Sequence, residues 1–189
     1  NSMIITDRDQ NIKDFIDKMG VCDTKSLSII FFNGSLRSCQ ARMKKLTTIN
    51  YVKCFREGIP GQNIFYTGRK PVQWKHKIVC SQIIAELMKN NIEILKARCP
   101  FKIDKVIVDL LLVLRINEEI KIYYCEVERT KKINLNKYLD LHYKKAYKEY
   151  FPFEPSILCV SNKKCKNDNI LDIRECKLDL SDLIEQIKE

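Results

Sequence analysis

At 189 residues, with 45% hydrophobic side chains and only five glycines and five prolines, the chain is long enough and apolar enough to bury a core, which excludes compositional disorder. Its longest strictly apolar run, LLLVL at 110–114, is far too short for a membrane span, and nine scattered cysteines without a C-x-x-C pair fit reduced thiols of a cytosolic protein better than a disulfide framework or a zinc site. The net charge of +10 is concentrated: nine Lys and Arg between Arg37 and Lys75 face a single acid, Glu57, a pattern that points to a polyanion-facing surface.

Asn1 and Ser2 ahead of Met3 read as a cloning remnant, with no signal peptide behind them. The run from Thr6 to Asp9 is close to a capping box, and Ile12, Phe15, Ile16 and Met19 follow at helical spacing up to Gly20. Asp23 opens a short second helix with Leu27, Ile30 and Phe31 inward. After an Asn33-Gly34 turn, Ser35 is a good cap for a third. In that third helix Leu36, Cys39, Met43 and Leu46 form one apolar stripe. Arg37, Ser38, Ala41, Lys44, Lys45 and Thr48 occupy the opposite face, with Arg42 at its flank. A small residue ringed by donors suits a helix lying close to a DNA groove. Residues 51–55 and 63–67 read as two strands joined by a turn at 56–61, and Gly68, Arg69, Lys70 and Pro71 as a linker.

Three helices followed by a basic hairpin is the element order of a winged helix-turn-helix, expected over residues 5–70. Lys and Arg there (Arg37, Arg42, Lys44, Lys45, Lys53, Arg56, Arg69, Lys70) would neutralise phosphates, while Arg37, Ser38 and Gln40 could reach base edges past Ala41. The bland alternative is a small helical domain with a solvated basic face.

From residue 75 the pattern predicts an α/β domain reaching 189. A helix at 75–89 carries Ile78, Val79, Ile83, Ala85, Leu87 and Met88. Strands follow at 92–97, 105–114 and 120–128, the last two joined by a turn at 117–119. A Tyr-rich helix capped by Asn134 or Asn136 runs to Tyr150 before Pro152. Strands at 156–161 and 170–178 and a short helix capped by Ser181 complete the chain. The expected class is α/β (α+β for the whole chain), with a three-layer α-β-β-β-α-β arrangement in the second domain.

Asp109 lies inside the second of these strands, and Glu126 and Glu128 end the third at i, i+2 spacing, which puts both carboxylates on one face of a sheet. This order and spacing resemble the PD-(D/E)xK nuclease fold, in which an Asp and an E-x-K pair bind a divalent cation and orient water. The resemblance assigns Asp109, Glu126 and Glu128 as catalytic candidates, with Asp109 and Glu126 as ligands of Mg²⁺ if the protein cuts DNA. Two departures stand out: Glu128 replaces the usual Lys, and Val108 rather than Pro precedes Asp109.

Over roughly residues 5–160 the chain also resembles the replication-relaxation family of plasmids and mobile elements. The residues that carry this are the basic three-helix start, Asp109 on an apolar strand, the Glu126-Val127-Glu128-Arg129-Thr130 run, and Lys137-Tyr138 with Tyr143 on the next helix. That resemblance implies double-stranded DNA binding in replication, transfer or transcriptional control. It also implies replication or relaxosome proteins as partners, and it does not imply cleavage. Winged helices commonly act as dimers on paired half-sites, so a homodimer is expected; DNA binding itself needs no cofactor.

Other readings remain open. Asp109 either joins a metal site or pairs with Arg129 or Lys131, and Glu86 either completes such a site or is a solvated helix acid. His142 reads as a packed histidine and Cys125 as a buried strand thiol. Trp74 and the tyrosines of 138–150 read as core or as a dimer surface. A cutting enzyme needs Asp109, Glu126 and Glu128 to converge, whereas a basic side chain among them would make the fold silent.

Overall fold

The structure is a computed structural model describing residues 3–57, 62–165 and 169–189. The residues read as a cloning remnant and most of the expected hairpin turn at 56–61 lie outside the described residues. The chain is a mixed α/β protein that divides into two compact units, Asn1–Lys89 and Asn90–Glu189.

In the first unit, helix α1 (Asp7–Met19) starts with a complete capping box. The Asp9 carboxylate accepts the Thr6 N–H at 2.8 Å, and the Thr6 hydroxyl accepts the Asp9 N–H at 3.3 Å. Gly20 ends it at φ +88°, donating its N–H to the Ile16 carbonyl. After strand β1 (Cys22–Asp23), the Asp23 carboxylate caps helix α2 (Thr24–Phe31) by accepting the Ser26 N–H at 2.7 Å. Ser35 caps helix α3 (Leu36–Thr48) through the Ser38 N–H. Strands β2 (Lys53–Arg56) and β3 (Asn63–Tyr66) pair antiparallel, and β3 also pairs with β1. Ile12, Ile16, Leu27, Cys39, Met43, Leu46, Val52 and Phe65 form the core between helices and sheet. Leu36, expected on the inward stripe, is exposed: it is the first residue of α3 and lies outside that core.

Helix α4 (Trp74–Lys89) belongs to this unit. Fully buried Ser81 donates its hydroxyl to the Val21 carbonyl, and Gln82 Nε2 donates to Asp23 Oδ2 at 2.8 Å. The break between compact units therefore falls after Lys89, whereas a linker was expected at 68–71. Two polar ties and an apolar surface fasten α4 to what precedes it.

The second unit is built on a five-stranded sheet. Its strands, in spatial order, are β10 (Ile173–Cys176), β9 (Ser156–Val160), β8 (Glu119–Val127), β7 (Leu110–Ile116) and β4 (Glu93–Arg98). β4, β7 and β8 are antiparallel neighbours, while β8, β9 and β10 run parallel. Helix α5 (Asn136–Lys144) makes the crossover from β8 towards β9 and lies over one sheet face, where Tyr124 stacks on Tyr138. Helix α6 (Leu183–Lys188) meets the other face: the Tyr123 hydroxyl and Lys121 Nζ both donate to the Ile187 carbonyl.

The apolar stretch expected as one strand at 105–114 is two strands. β6 (Val106–Val108) pairs with β5 (Phe101–Ile103) in a separate hairpin, and the chain bends at Asp109 before entering β7. The Tyr-rich helix is shorter than expected because Lys145 takes a left-handed φ of +51°, after which Ala146–Glu149 form a 3-10 turn. The nine cysteines form no disulfide among the described residues, and no described helix is long and apolar enough to cross a membrane.

Candidate functional site

The first candidate surface is the outer face of α3 with the adjoining hairpin. Helix periodicity turns Cys39, Met43 and Leu46 inward, which leaves Arg37, Ser38, Gln40, Ala41, Lys44, Lys45 and Thr48 exposed. Among the described residues none of Arg37, Lys44 and Lys45 has an acidic partner within ion-pair distance. Three cations whose field is not cancelled locally favour a bound anion.

Beside this face, α3 and the β2–β3 hairpin border a cleft of about 250 Å³ lined by Gln40, Lys44, Thr47, Cys54 and Asn63, among others. The expected readers and phosphate-binding groups thus share one side of the unit with strand residues that had no signal in the sequence. Cys54 becomes a cleft residue only through the pairing that brings β2 alongside β3, while Thr47 lines the cleft from α3.

Other basic residues are individually placed. Lys53 donates to the Gly68 carbonyl at 2.8 Å, and Lys70 sits 3.7 Å above the Phe55 ring, which also packs edge-on against Trp74; both lysines are exposed. Arg56 and Arg69 are exposed at the ends of the hairpin. Arg42 departs from its expected role. Its guanidinium turns back to α1, with Nε donating to Asp9 Oδ1 at 2.9 Å, Nη2 to Asp9 Oδ2, and Nη2 to the Ile4 carbonyl at 2.9 Å. Asp9 is fully buried, so its charge requires that fork. The hydrogen bond from Arg42, helped by the N–H and hydroxyl of Thr6, lowers the Asp9 carboxyl to about 2 against the desolvation that would raise it.

The second candidate is the carboxylate group in the other unit. The ladder pairs Leu110 with Cys125, which sets Asp109 beside Glu126. Asp109 Oδ2 accepts the Val127 N–H at 2.8 Å, so the backbone of β8, rather than Arg129 or Lys131, takes this oxygen. Both Glu126 oxygens are also occupied. Oε1 accepts from Lys137 Nζ at 2.5 Å, and Oε2 accepts from the buried Tyr138 hydroxyl.

Burial, and then the nearby Asp109 charge, push the Glu126 carboxyl above its usual range, while Lys137 and Tyr138 oppose that shift. The same burial, with Glu126 alongside, pushes the Tyr138 phenol up, so that hydroxyl is a proton donor at neutral pH. Lys137 Nζ also lies 3.4 Å from the Ile107 carbonyl, placing an ammonium between an oxygen of β6 and the Glu126 carboxylate of β8.

Glu128 turns out of this group. Its Oε1 lies within hydrogen-bonding reach of the Thr130 and Lys131 N–H groups and closes the turn after the strand. Glu86 lies on α4, in the first unit. Among the described residues no three His, Cys, Asp or Glu side chains gather as a metal site. The donor set as it stands does not fit a divalent cation, because Lys137 supplies positive charge where Glu126 would need a metal. Cys125, on the opposite sheet face, is fully buried with its thiol pushed up by burial, consistent with an inert strand residue.

Lys137 entered the sequence reading only as part of the family pattern, and Tyr138 otherwise only as a core or dimer-surface tyrosine. No local signal marks them as partners of Glu126, because irregular chain separates them from the strand end. His142 is half-buried and holds Glu154 through Nδ1 at 2.8 and 2.9 Å. Tyr138 is core, while Tyr143 and Tyr150 are exposed. Comparison with protein-family models, with curated proteins and with solved structures gives no match for this chain.

Proposed function

We propose that the protein binds double-stranded DNA through a winged helix, as a homodimer on paired half-sites. In this reading its second unit is a nuclease-like domain that does not cut and serves dimerisation or partner contact. The observation that carries the reading is the exposed face of α3, where Arg37, Lys44 and Lys45 lie with Ser38, Gln40 and Ala41 and have no described acidic partner. Such a face supplies the phosphate contacts that dominate duplex affinity, and the small Ala41 lets the helix backbone approach a groove. The hairpin beside it, carrying Lys53 and Arg56, fits the role of the wing on the DNA backbone. The setting proposed from the sequence resemblance is a plasmid or mobile element, in its replication, transfer or transcriptional control.

Lys137 favours a silent second unit: an ammonium on Glu126 neutralises the charge that a catalytic cation would need. The second reading, a Mg²⁺-dependent DNA endonuclease or nickase using Asp109 and Glu126, is favoured by the nearness of the two carboxylates, Asp109 sitting on the Val127 N–H beside Glu126.

Duplex affinity measured across a salt series tests the first reading. Each phosphate contact contributes about −0.9 to the slope of log K against log salt, so Arg37→Ala with Lys45→Ala should flatten it by about 2 and weaken binding. A shallow slope, or unchanged binding in the double variant, refutes it. Supercoiled and linear DNA incubated with Mg²⁺ or Mn²⁺ should stay intact; cleavage that vanishes in Asp109→Ala would establish the second reading instead.

A further inference from the structure

The hairpin of the first unit has a second face, turned away from α3. Its register pairs Cys54 with Phe65 and Arg56 with Asn63, and Cys54, Asn63 and Phe65 line the cleft beside α3. Alternation along the strands therefore puts Lys53, Phe55 and Tyr66 on the other side. There the Phe55 ring meets Trp74, the first residue of α4, edge-on at 5.0 Å, and meets Tyr66 at 5.9 Å. All three rings are half-buried, so each keeps part of its surface in contact with solvent.

The cations of this face are held by rings and a carbonyl rather than by acids. Lys70 Nζ lies 3.7 Å from the centre of the Phe55 ring and 5.8 Å from that of Trp74, and Lys75 Nζ lies 5.7 Å from Trp74. Lys53 Nζ donates to the Gly68 carbonyl. Among the described residues only Lys75 of these three has an acidic partner, Glu57 at 3.8 Å, in a loose pair exposed on both sides. An ammonium carries three donors, so each lysine keeps N–H groups for an incoming anion.

We infer that this face binds single-stranded DNA, with an unpaired base stacked on Trp74 and the adjoining phosphates on Lys70 and Lys75. Flat apolar bases alternate with anions along such a strand, and this face sets aromatic surface beside uncancelled positive charge in the same way. An acidic peptide would satisfy the lysines and leave the rings unused. In a duplex the bases are stacked on one another and cannot reach a ring, which separates this face from that of α3. Neither rings nor ammoniums accept a hydrogen bond from a ribose 2′-OH, so the face gains nothing from RNA over DNA. The inference goes beyond the duplex reading and does not rest on it, because Phe55, Trp74, Lys70 and Lys75 lie neither on α3 nor in the cleft beside it.

Trp74 is the single tryptophan, so its fluorescence in the full chain reports the stack directly. An oligothymidylate of about twelve nucleotides should quench it saturably, while a duplex of the same length should leave it unquenched. An abasic strand of that length, which keeps the phosphates and lacks the bases, should bind about tenfold more weakly and without quenching. Lys70→Gln, at an exposed position, should flatten the slope of log K against log salt for the oligothymidylate by about 0.7. Trp74→Leu should weaken binding of the end-labelled strand about tenfold by fluorescence anisotropy, and Trp74→Phe should retain most of it. Arg37→Ala with Lys45→Ala should change single-strand affinity less than about twofold, so what that double variant does to duplex binding bears on α3 alone. Absence of quenching, quenching by the duplex, equal affinity for the abasic strand, or an unchanged slope in Lys70→Gln overturns the assignment. Binding of oligouridylate about tenfold tighter than oligothymidylate overturns the choice of DNA.

Discussion

Asp9 shows what one buried carboxylate does in this chain. It caps its own helix, accepts the Thr6 N–H and hydroxyl, and receives the Arg42 fork, all with no exposure to solvent. Its carboxyl is lowered to about 2, below the value it takes in an unfolded chain. The linked stabilisation, about 2 kcal/mol, is fully present above the unfolded pKa and is lost as pH falls through the folded one. Asp9→Asn should therefore lower stability by about 2–3 kcal/mol at pH 7 and flatten the loss between about pH 4 and pH 2, as read by urea unfolding.

Glu126 is the opposite case, a carboxyl raised by burial and by Asp109 against the opposing pull of Lys137 and Tyr138. Lys137→Ala removes one of those two groups. The variant should lose about 1–3 kcal/mol at neutral pH and regain part of it under mild acid, because a raised folded pKa makes stability fall as pH rises through the interval. Chemical denaturation at several pH values checks both the size and the sign.

Among the elements, the junction of α1 with β1 is the most sequence-restricted. Gly20 holds φ +88°, and an added Cβ would come within 2.8 Å of the Lys77 side chain. That side chain can move aside, so the cost lies in the backbone, which a residue with a Cβ adopts reluctantly. Gly20→Ala should destabilise the first unit by about 1–2 kcal/mol, and fluorescence of Trp74, the single tryptophan, reports that unit's unfolding directly. Helix α3 shows how periodicity does two jobs at once: the spacing that buries Cys39, Met43 and Leu46 also gathers the basic residues on one exposed face. Strand β8 does the same with period two, carrying Tyr124 and Glu126 to the α5 face and Tyr123 to the α6 face.

For the whole molecule, the division after Lys89 carries a consequence. Ser81 and Gln82 bind α4 to Val21 and Asp23, so a first unit cut at residue 70 would lose the partner of its buried polar groups. Limited proteolysis should yield a resistant fragment ending near Lys89. That fragment should retain the duplex affinity proposed for α3, whereas a truncation at 70 should be unfolded by circular dichroism. A resistant fragment ending at 70 would contradict the division.

Much was legible in the residues themselves. The caps and apolar periods of the three N-terminal helices, the basic segment, and the i, i+2 carboxylates all rest on local spacing, and local spacing is written directly in the chain. The break at Asp109 was hidden because an apolar run reads as one strand whether or not the chain bends within it. The early end of α5 was hidden because Lys145 carries no mark of its left-handed backbone. Arg42 looked like one more exposed cation of α3 until the packing of α1 against α3 brought buried Asp9 to it. Glu126 looked like half of a metal pair until α5 set Lys137 on one oxygen and Tyr138 on the other. Residue type and spacing determined which elements form and which charges share a face; tertiary packing alone decided which charges neutralise each other, because that depends on contacts between segments whose separation along the chain says nothing about their distance in space.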